Sequence, residues 1–143
     1  MSTNSTIAVQ HKDGSVSQVY CHWDGYVSWN GKMLLEHYNS LLAAEKLVAL
    51  GDISSLNRSI AGGVGHTFND PIKGETVFYG RDRNDPNTAP SVFATLSDYY
   101  SKFDGQEYNY LFRNGEWEVH SYNSDGWTSV AEALEIESAA RAE

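Results

Sequence analysis

Arg81-Asp82-Arg83 is the place in this acid-rich chain where two arginines fall closest together, and Phe78 and Tyr79 stand just ahead of them. Two guanidinium groups beside aromatic rings are suited to hold the phosphates and the base of a small nucleotide, by paired hydrogen bonds and by stacking. The plain alternative is a pair of arginines balancing surface acids such as Asp82 and Asp85, worth little energy. A second concentration of chemistry is Cys21-His22-Trp23-Asp24, followed by Tyr26 and Trp29. Trp23, Tyr26 and Trp29 surround a turn, where rings are harder to bury than in a strand, so this loop offers stacking surface for a ligand or a subunit interface, or else a small core wraps around it. The ligand-binding set read from the sequence is therefore Arg81, Arg83, Tyr79, Trp23, Tyr26, His22 and Asp24.

No reaction centre is recognisable among these residues. Neighbours in a strand point to opposite faces, so Cys21 and His22 do not make a nucleophile and base pair, and a small buried core cysteine is expected instead. His22-x-Asp24 has the spacing that puts two side chains on one strand face, and His66 and Asp70 are further donors. A metal shell needs three or four converging ligands, and the spacing shows no convergence. Gly62-Gly63-Val64-Gly65-His66 lacks the G-x-x-x-x-G-K-[ST] order of a phosphate-cradling loop and follows a helix rather than a strand, so a lid or a plain connection is expected. No catalytic residue, metal or cofactor is assigned on this basis. A small hydrolase or lyase using His22, Asp24 and His66 is the enzymatic alternative.

The elements that must position these residues follow from hydrophobic period and turn chemistry. Residues 5–10 and 16–23 read as two strands about His11-Lys12-Asp13-Gly14-Ser15. A two-residue loop at Asp13-Gly14 sets Val9 opposite Gln18. An odd-length loop sets Ile7 or Val9 opposite Val19, puts Cys21 and Trp23 on that face, and is favoured because it matches the apolar faces. Gln18, Tyr20 and His22 then share the other face. Asp24-Gly25 ends the strand, and Asn30 is placed to cap a helix through Met33, Leu34, Leu35 and Tyr38, with Asn39-Ser40 a break or a second cap. LLAAEKLVAL, from Leu41, has helical spacing with Gly51 as its stop, and residues 52–56 add a short turn.

Residues 57–74, with Gly62, Gly63, Gly65, Asp70-Pro71 and Gly74, form a long loop, and residues 75–81 form a strand leading to the two arginines. From Ser91, the positions Val92, Phe93, Leu96, Tyr99, Tyr100 and Phe103 predict an amphipathic helix ended by Asp104-Gly105. Residues 107–122 are the clearest hairpin, since Asn114-Gly115 is a preferred type I′ turn; it pairs Phe112 with Trp117 and Tyr110 with Val119. Ser129 and Glu132 form a capping box for the final helix. The expected assembly is a single α+β domain over residues 1–143, an antiparallel sheet of about five strands built from hairpins with three or four helices packed on one side.

Bulk composition narrows the partners. With 143 residues, 41% of them hydrophobic, the chain has the material for one core. A formal charge of −9 repels a phosphate backbone, which argues against a general nucleic-acid binder and suits an acidic face presented to a basic partner. One cysteine forms no internal disulfide. The opening MSTNST lacks the positive and apolar segments of a signal peptide, and no apolar run approaches the roughly 18 residues of a membrane span. A cytoplasmic protein without a membrane partner is expected.

The segments STNSTIAVQHKDGSVSQVYCHWDGY, GKMLLEHY and LVALGDISSL together resemble a family of small accessory proteins of tailed bacteriophages. The likeness spans residues 2–56, and FNDPIKGETVFYGRDR extends it to residue 83. No catalytic motif of that family is available to carry over. The resemblance implies a setting, the cytoplasm of an infected bacterium, where such proteins disarm host defence. Some enclose a cyclic or ADP-ribose-type nucleotide signal in an oligomeric pocket, and others bind a defence protein. The expectation is thus a non-enzymatic binder that sequesters a small nucleotide-type signal as a homo-oligomer, with an acidic inhibitor of a host defence protein as the alternative.

Overall fold

Two apolar-rich segments form the first hairpin, in which β1 (Ser5–Gln10) pairs antiparallel with β2 (Val16–Cys21), Ile7 opposite Val19. This is the odd-loop register, and it puts Ile7, Val9, Val19 and Cys21 into one core. The last hairpin, β6 (Tyr108–Arg113) and β7 (Glu116–Ser121), turns at Asn114-Gly115, both at positive φ, with Phe112 opposite Trp117 and Tyr110 opposite Val119. The computed structural model describes residues 2–122, 124 and 126–142.

Between the hairpins lie a π-helical turn (Val27–Gly31) running into α1 (Lys32–His37), α2 (Leu41–Ala49), β3 (Ile53–Ser55), β4 (Val77–Phe78), α3 (Tyr79–Arg83), β5 (Ser91–Phe93) and α4 (Leu96–Lys102). After β7 come β8 (Thr128–Ser129) and α5 (Val130–Ala142). The α+β class holds, and the finer expectation is corrected. Among the described residues the sheet has eight strands, in the order β4-β3-β2-β1-β6-β7-β8 with β5 also on β2, and there are five α-helices. It is mixed rather than antiparallel, because β1 pairs parallel with β6 and β2 parallel with β3. The two hairpins dock side by side so that Ile7 meets Tyr110 and Val9 meets Phe112, extending one apolar face across both.

Helices cover both faces rather than one. The larger core joins that face to Leu34 of α1, Ala44, Leu47 and Val48 of α2, and Val130 of α5. On the opposite face Ala8, Val16 and Leu111 are sealed by Tyr99 of α4, with Leu96, Phe103, Phe93 and Trp127 around it. Each such buried large side chain contributes about 1.5–3 kcal/mol relative to exposure. No helix among the described residues is long and apolar enough to cross a membrane.

Local chemistry explains where the expected elements shift. Ser40 caps α2, its Oγ accepting the Ala43 N–H at 3.1 Å, and Gly51 ends it at φ +90. Asn30 caps nothing: it is fully buried and its Nδ2 donates to Ser5 Oγ at 3.0 Å and to Cys21 Sγ at 3.4 Å. Residues 52–56 give a strand rather than a turn, since Ile53 fits between Cys21 and Phe78. The helix expected from Ser91 begins only after Thr95, whose Oγ1 accepts the Asp98 N–H at 3.0 Å, because Ser91–Phe93 pairs with β2. Ser129 Oγ accepts the Glu132 N–H, as the capping box requires.

Candidate functional site

The segment expected as a strand over residues 75–81 is extended only at Val77–Phe78. It then winds into α3, so Tyr79, Arg81 and Arg83 leave the sheet on one helical turn that Asn84 stops at φ +61. A carboxylate drives this. Asp82 Oδ2 reaches back to accept the Phe78 N–H at 2.8 Å, satisfying a donor at the start of the turn as an acidic capping residue does.

The same carboxylate gathers the glycine-rich loop. Asp82 accepts Arg81 Nε at 2.9 Å and Nη2 at 3.2 Å, and lies 3.2 Å from His66 Nε2. Burial alone would raise the Asp82 carboxyl, but Arg81, the Phe78 N–H and His66 outweigh it and hold it below its ordinary value. His66 Nδ1 accepts the Ile72 N–H at 3.0 Å, which fixes the tautomer with its proton on Nε2, donated to Asp82. With its side chain fully buried and both nitrogens engaged, His66 is a pin for the loop. Arg81 also donates to the carbonyl oxygens of Ile60 and Thr76, and its guanidinium lies 4.7 Å from the Phe78 ring centroid. Gly62 beside it sits at φ +62, which favours glycine, and a Cβ there would stand 2.7 Å from Arg81 Nη2 and displace the guanidinium.

Arg83 is held differently. Its Nε donates to Asp85 at 2.9 Å, and its guanidinium carbon stands 4.5 Å from the Phe68 ring centroid and 5.3 Å from that of Tyr79. The two rings are themselves 5.6 Å apart. The side chain is 50% exposed and neither Nη makes a hydrogen bond among the described residues. Phe68 was not singled out from the sequence. The signal available was the one Phe, Tyr or Trp ring in a loop rich in Gly, Asn, Asp and Pro.

Asp52 links this group to the first hairpin, its carbonyl accepting the Tyr79 N–H at 3.2 Å and its Oδ1 the Tyr20 N–H at 3.0 Å. Burial raises the Tyr20 phenol above its ordinary value, with the charges of Tyr79, Cys21 and Asp52 adding to it. Tyr20 Oη and His22 Nδ1 are 2.7 Å apart, and His22 meets Trp23 edge-on at 4.7 Å. Through Asp52 the strand that carries Tyr20 and leads into His22 is tied to the turn that carries Tyr79 and Arg83. Comparison with protein-family models, curated proteins and solved structures finds no match to this chain.

The remaining predicted residues divide. Asp24, at φ 58, forms a pair with Tyr26, whose Oη donates to its Oδ1 at 3.1 Å; Trp23 and Tyr26 are exposed, whereas Trp29 is tied down by Nε1–H to the Leu56 carbonyl. Cys21 is fully buried, and burial pushes its thiol up to about 11, which removes nucleophilic character at neutral pH. Among the described residues, no three His, Cys, Asp or Glu side chains are grouped to hold a metal ion.

Proposed function

We propose that the protein binds a small nucleotide-type ligand without converting it. The phosphate meets the two free Nη groups of Arg83, and the base lies against the rings of Tyr79, Tyr20, His22 and Trp23. The observation that carries this reading is Arg83: stacked on Phe68, fixed through Nε by Asp85, and half exposed with its bidentate donor edge open. A guanidinium already immobilised by stacking loses less entropy on gripping a phosphate. Arg81 has a different part, because its donors hold the loop that carries Phe68.

This surface is open, with Trp23 44% exposed, and so supplies one wall. A second copy of the chain is the simplest source of the other, which makes a homo-oligomer part of the proposal. The phage-like opening segments supply the setting, an infected bacterium in which capture of an immune nucleotide would blunt host defence.

The test is calorimetric titration of a panel of cyclic and ADP-ribose-type nucleotides, with mass spectrometry of what is released on denaturation. The expected result is recovery of an intact nucleotide, and an affinity loss of tenfold or more, about 1.4 kcal/mol, in Arg83→Gln at an unchanged urea midpoint. Recovery of a converted nucleotide, no binding across the panel, or undiminished binding in Arg83→Gln would overturn the reading.

A further inference from the structure

On the sheet face that carries Tyr20, a cavity of about 250 Å³ opens between β1, β2 and residues 87–91 and 104–106. Gln18, Thr6, Asp52, Ser91 and Asp104 are among its walls, and no Lys, Arg or His lines it. Gln18 faces Ser91 across the β2–β5 pair and is 8% exposed, yet its Oε1 makes no hydrogen bond among the described residues. A buried acceptor left in that state costs about 1–3 kcal/mol, so the chemistry around it matters.

That chemistry is anionic at two points, Asp52 and Asp104, while Asn87, Ser91, Gln106 and Tyr20 bring donors as well as acceptors to the walls. Thr6 Oγ1 gives its proton to Asn109 Oδ1 at 2.9 Å and so offers the cavity no donor. Asp52 uses Oδ1 on the Tyr20 N–H, and its Oδ2 has no partner among the described residues. Burial raises the Asp52 carboxyl above its ordinary value, only partly offset by that N–H. Asp104, at the exposed mouth, adds a second negative charge. Water satisfies a lone acceptor but neutralises neither carboxylate. A hard divalent ion wants six or more oxygens, and no three His, Cys, Asp or Glu side chains are gathered here among the described residues.

We infer that this cavity binds a small organic cation rich in N–H donors, a primary ammonium or guanidinium compound. The Asp52 carboxylate serves as its counter-charge and Gln18 Oε1 as the acceptor that selects it. The volume lies below the range of drug-sized sites, which limits the ligand to a short chain. Charge brings the cation to the acidic mouth, and the buried amide oxygen discriminates an N–H donor from a cation without one. Tyr20 borders both this cavity and the proposed nucleotide surface, but the inference rests on Asp52 and Gln18, and Arg83 does not line this cavity.

Agmatine is the probe, because it carries a guanidinium and an ammonium group on one short chain; tetramethylammonium has the charge and no N–H. Titration of the full chain, followed by calorimetry and by amide NMR shifts, is expected to show saturable agmatine binding that perturbs Gln18 and Ser91, with no binding of tetramethylammonium. Asp52→Asn keeps an oxygen for the Tyr20 N–H and is expected to weaken agmatine tenfold or more. Gln18→Leu is expected to do the same, and Arg83→Gln is expected to leave agmatine binding unchanged. Absence of saturable binding, equal binding of tetramethylammonium, or an unaltered affinity in a folded Asp52→Asn variant would overturn the inference, whether or not Gln18→Leu folds.

Discussion

Replacing Asp82 by Ala tests whether one carboxylate organises residues 59–76. The change removes the acceptor of four hydrogen bonds, from the Phe78 N–H, from His66 Nε2 and twice from Arg81. Arg81 retains other partners and its side chain is 28% exposed, so water replaces much of its loss at about 0–1 kcal/mol. The Phe78 N–H is partly buried and the His66 side chain has no exposure, so each loses its partner without compensation at about 1–3 kcal/mol. The expected loss is about 3 kcal/mol, capped by the free energy at which the loop opens on its own. Urea unfolding followed by tryptophan fluorescence gives the global value, and amide exchange of Gly62 and Ile72 gives the local one. These two N–H groups donate to Glu75 and His66 in the intact loop. A stability change below about 0.5 kcal/mol together with unchanged exchange at both amides would refute the hub.

Other outcomes follow from the same geometry. Because the folded Asp82 carboxyl sits below the 3.8 of an ordinary aspartate, its contribution is complete above that value and is lost as the pH falls through the depressed one. Urea midpoints taken down the acid range should therefore fall more steeply for the natural protein than for Asp82→Asn, and parallel profiles would contradict this. Cys21, with its thiol pushed up to about 11 by burial, should resist a thiol-reactive disulfide reagent at neutral pH until denaturant is added. Fast labelling of the native protein would mean that the core around it opens. Tyr110→Phe removes the buried hydrogen bond from Oη to the Gly25 carbonyl at 2.6 Å and should cost about 1–2 kcal/mol, measured by chemical denaturation.

What was legible from the sequence is what neighbouring residues decide. The Asn114-Gly115 turn, the odd length of the first hairpin loop, which left Ile7 or Val9 to face Val19, the Ser40 cap and the Gly51 stop each depend on side chains within one turn or hairpin. Beyond that range the pattern misled. Residues 75–81 look like a strand by composition, but Asp82 offers the Phe78 N–H a partner that makes a helical turn cheaper than further pairing. Val92 and Phe93 fit a helical period with Tyr99, yet a free edge on β2 captured them, and no local feature announces that edge. The parallel seam of β1 and β6 is invisible for the same reason. At the candidate site the sequence pointed to both arginines alike. Their difference arises because Arg81 faces inward onto the carbonyls of Ile60 and Thr76 while Arg83 lies outward over Phe68, a distinction set by residues up to twenty-one positions away. His66, weighed as a ligand or base, is occupied at both nitrogens by a backbone amide and a carboxylate that only the folded loop delivers.

The seam between β1 and β6 also sets how the chain can change length over time. Each flanking hairpin closes through a short turn, whereas the seam forms only after the whole stretch between Cys21 and Tyr108 has been looped out. Closure entropy grows with the logarithm of that stretch, so even doubling it would cost only about 0.6 kcal/mol. Closure entropy therefore sets little limit on added length at the fully exposed Val64, and what limits it is the local Gly63–His66 turn. One residue added to either hairpin turn would instead reverse the inward and outward faces of a strand. The molecule thus joins two rigid, length-intolerant ends to an elastic middle, and the middle is where Phe68 and Arg83 reside.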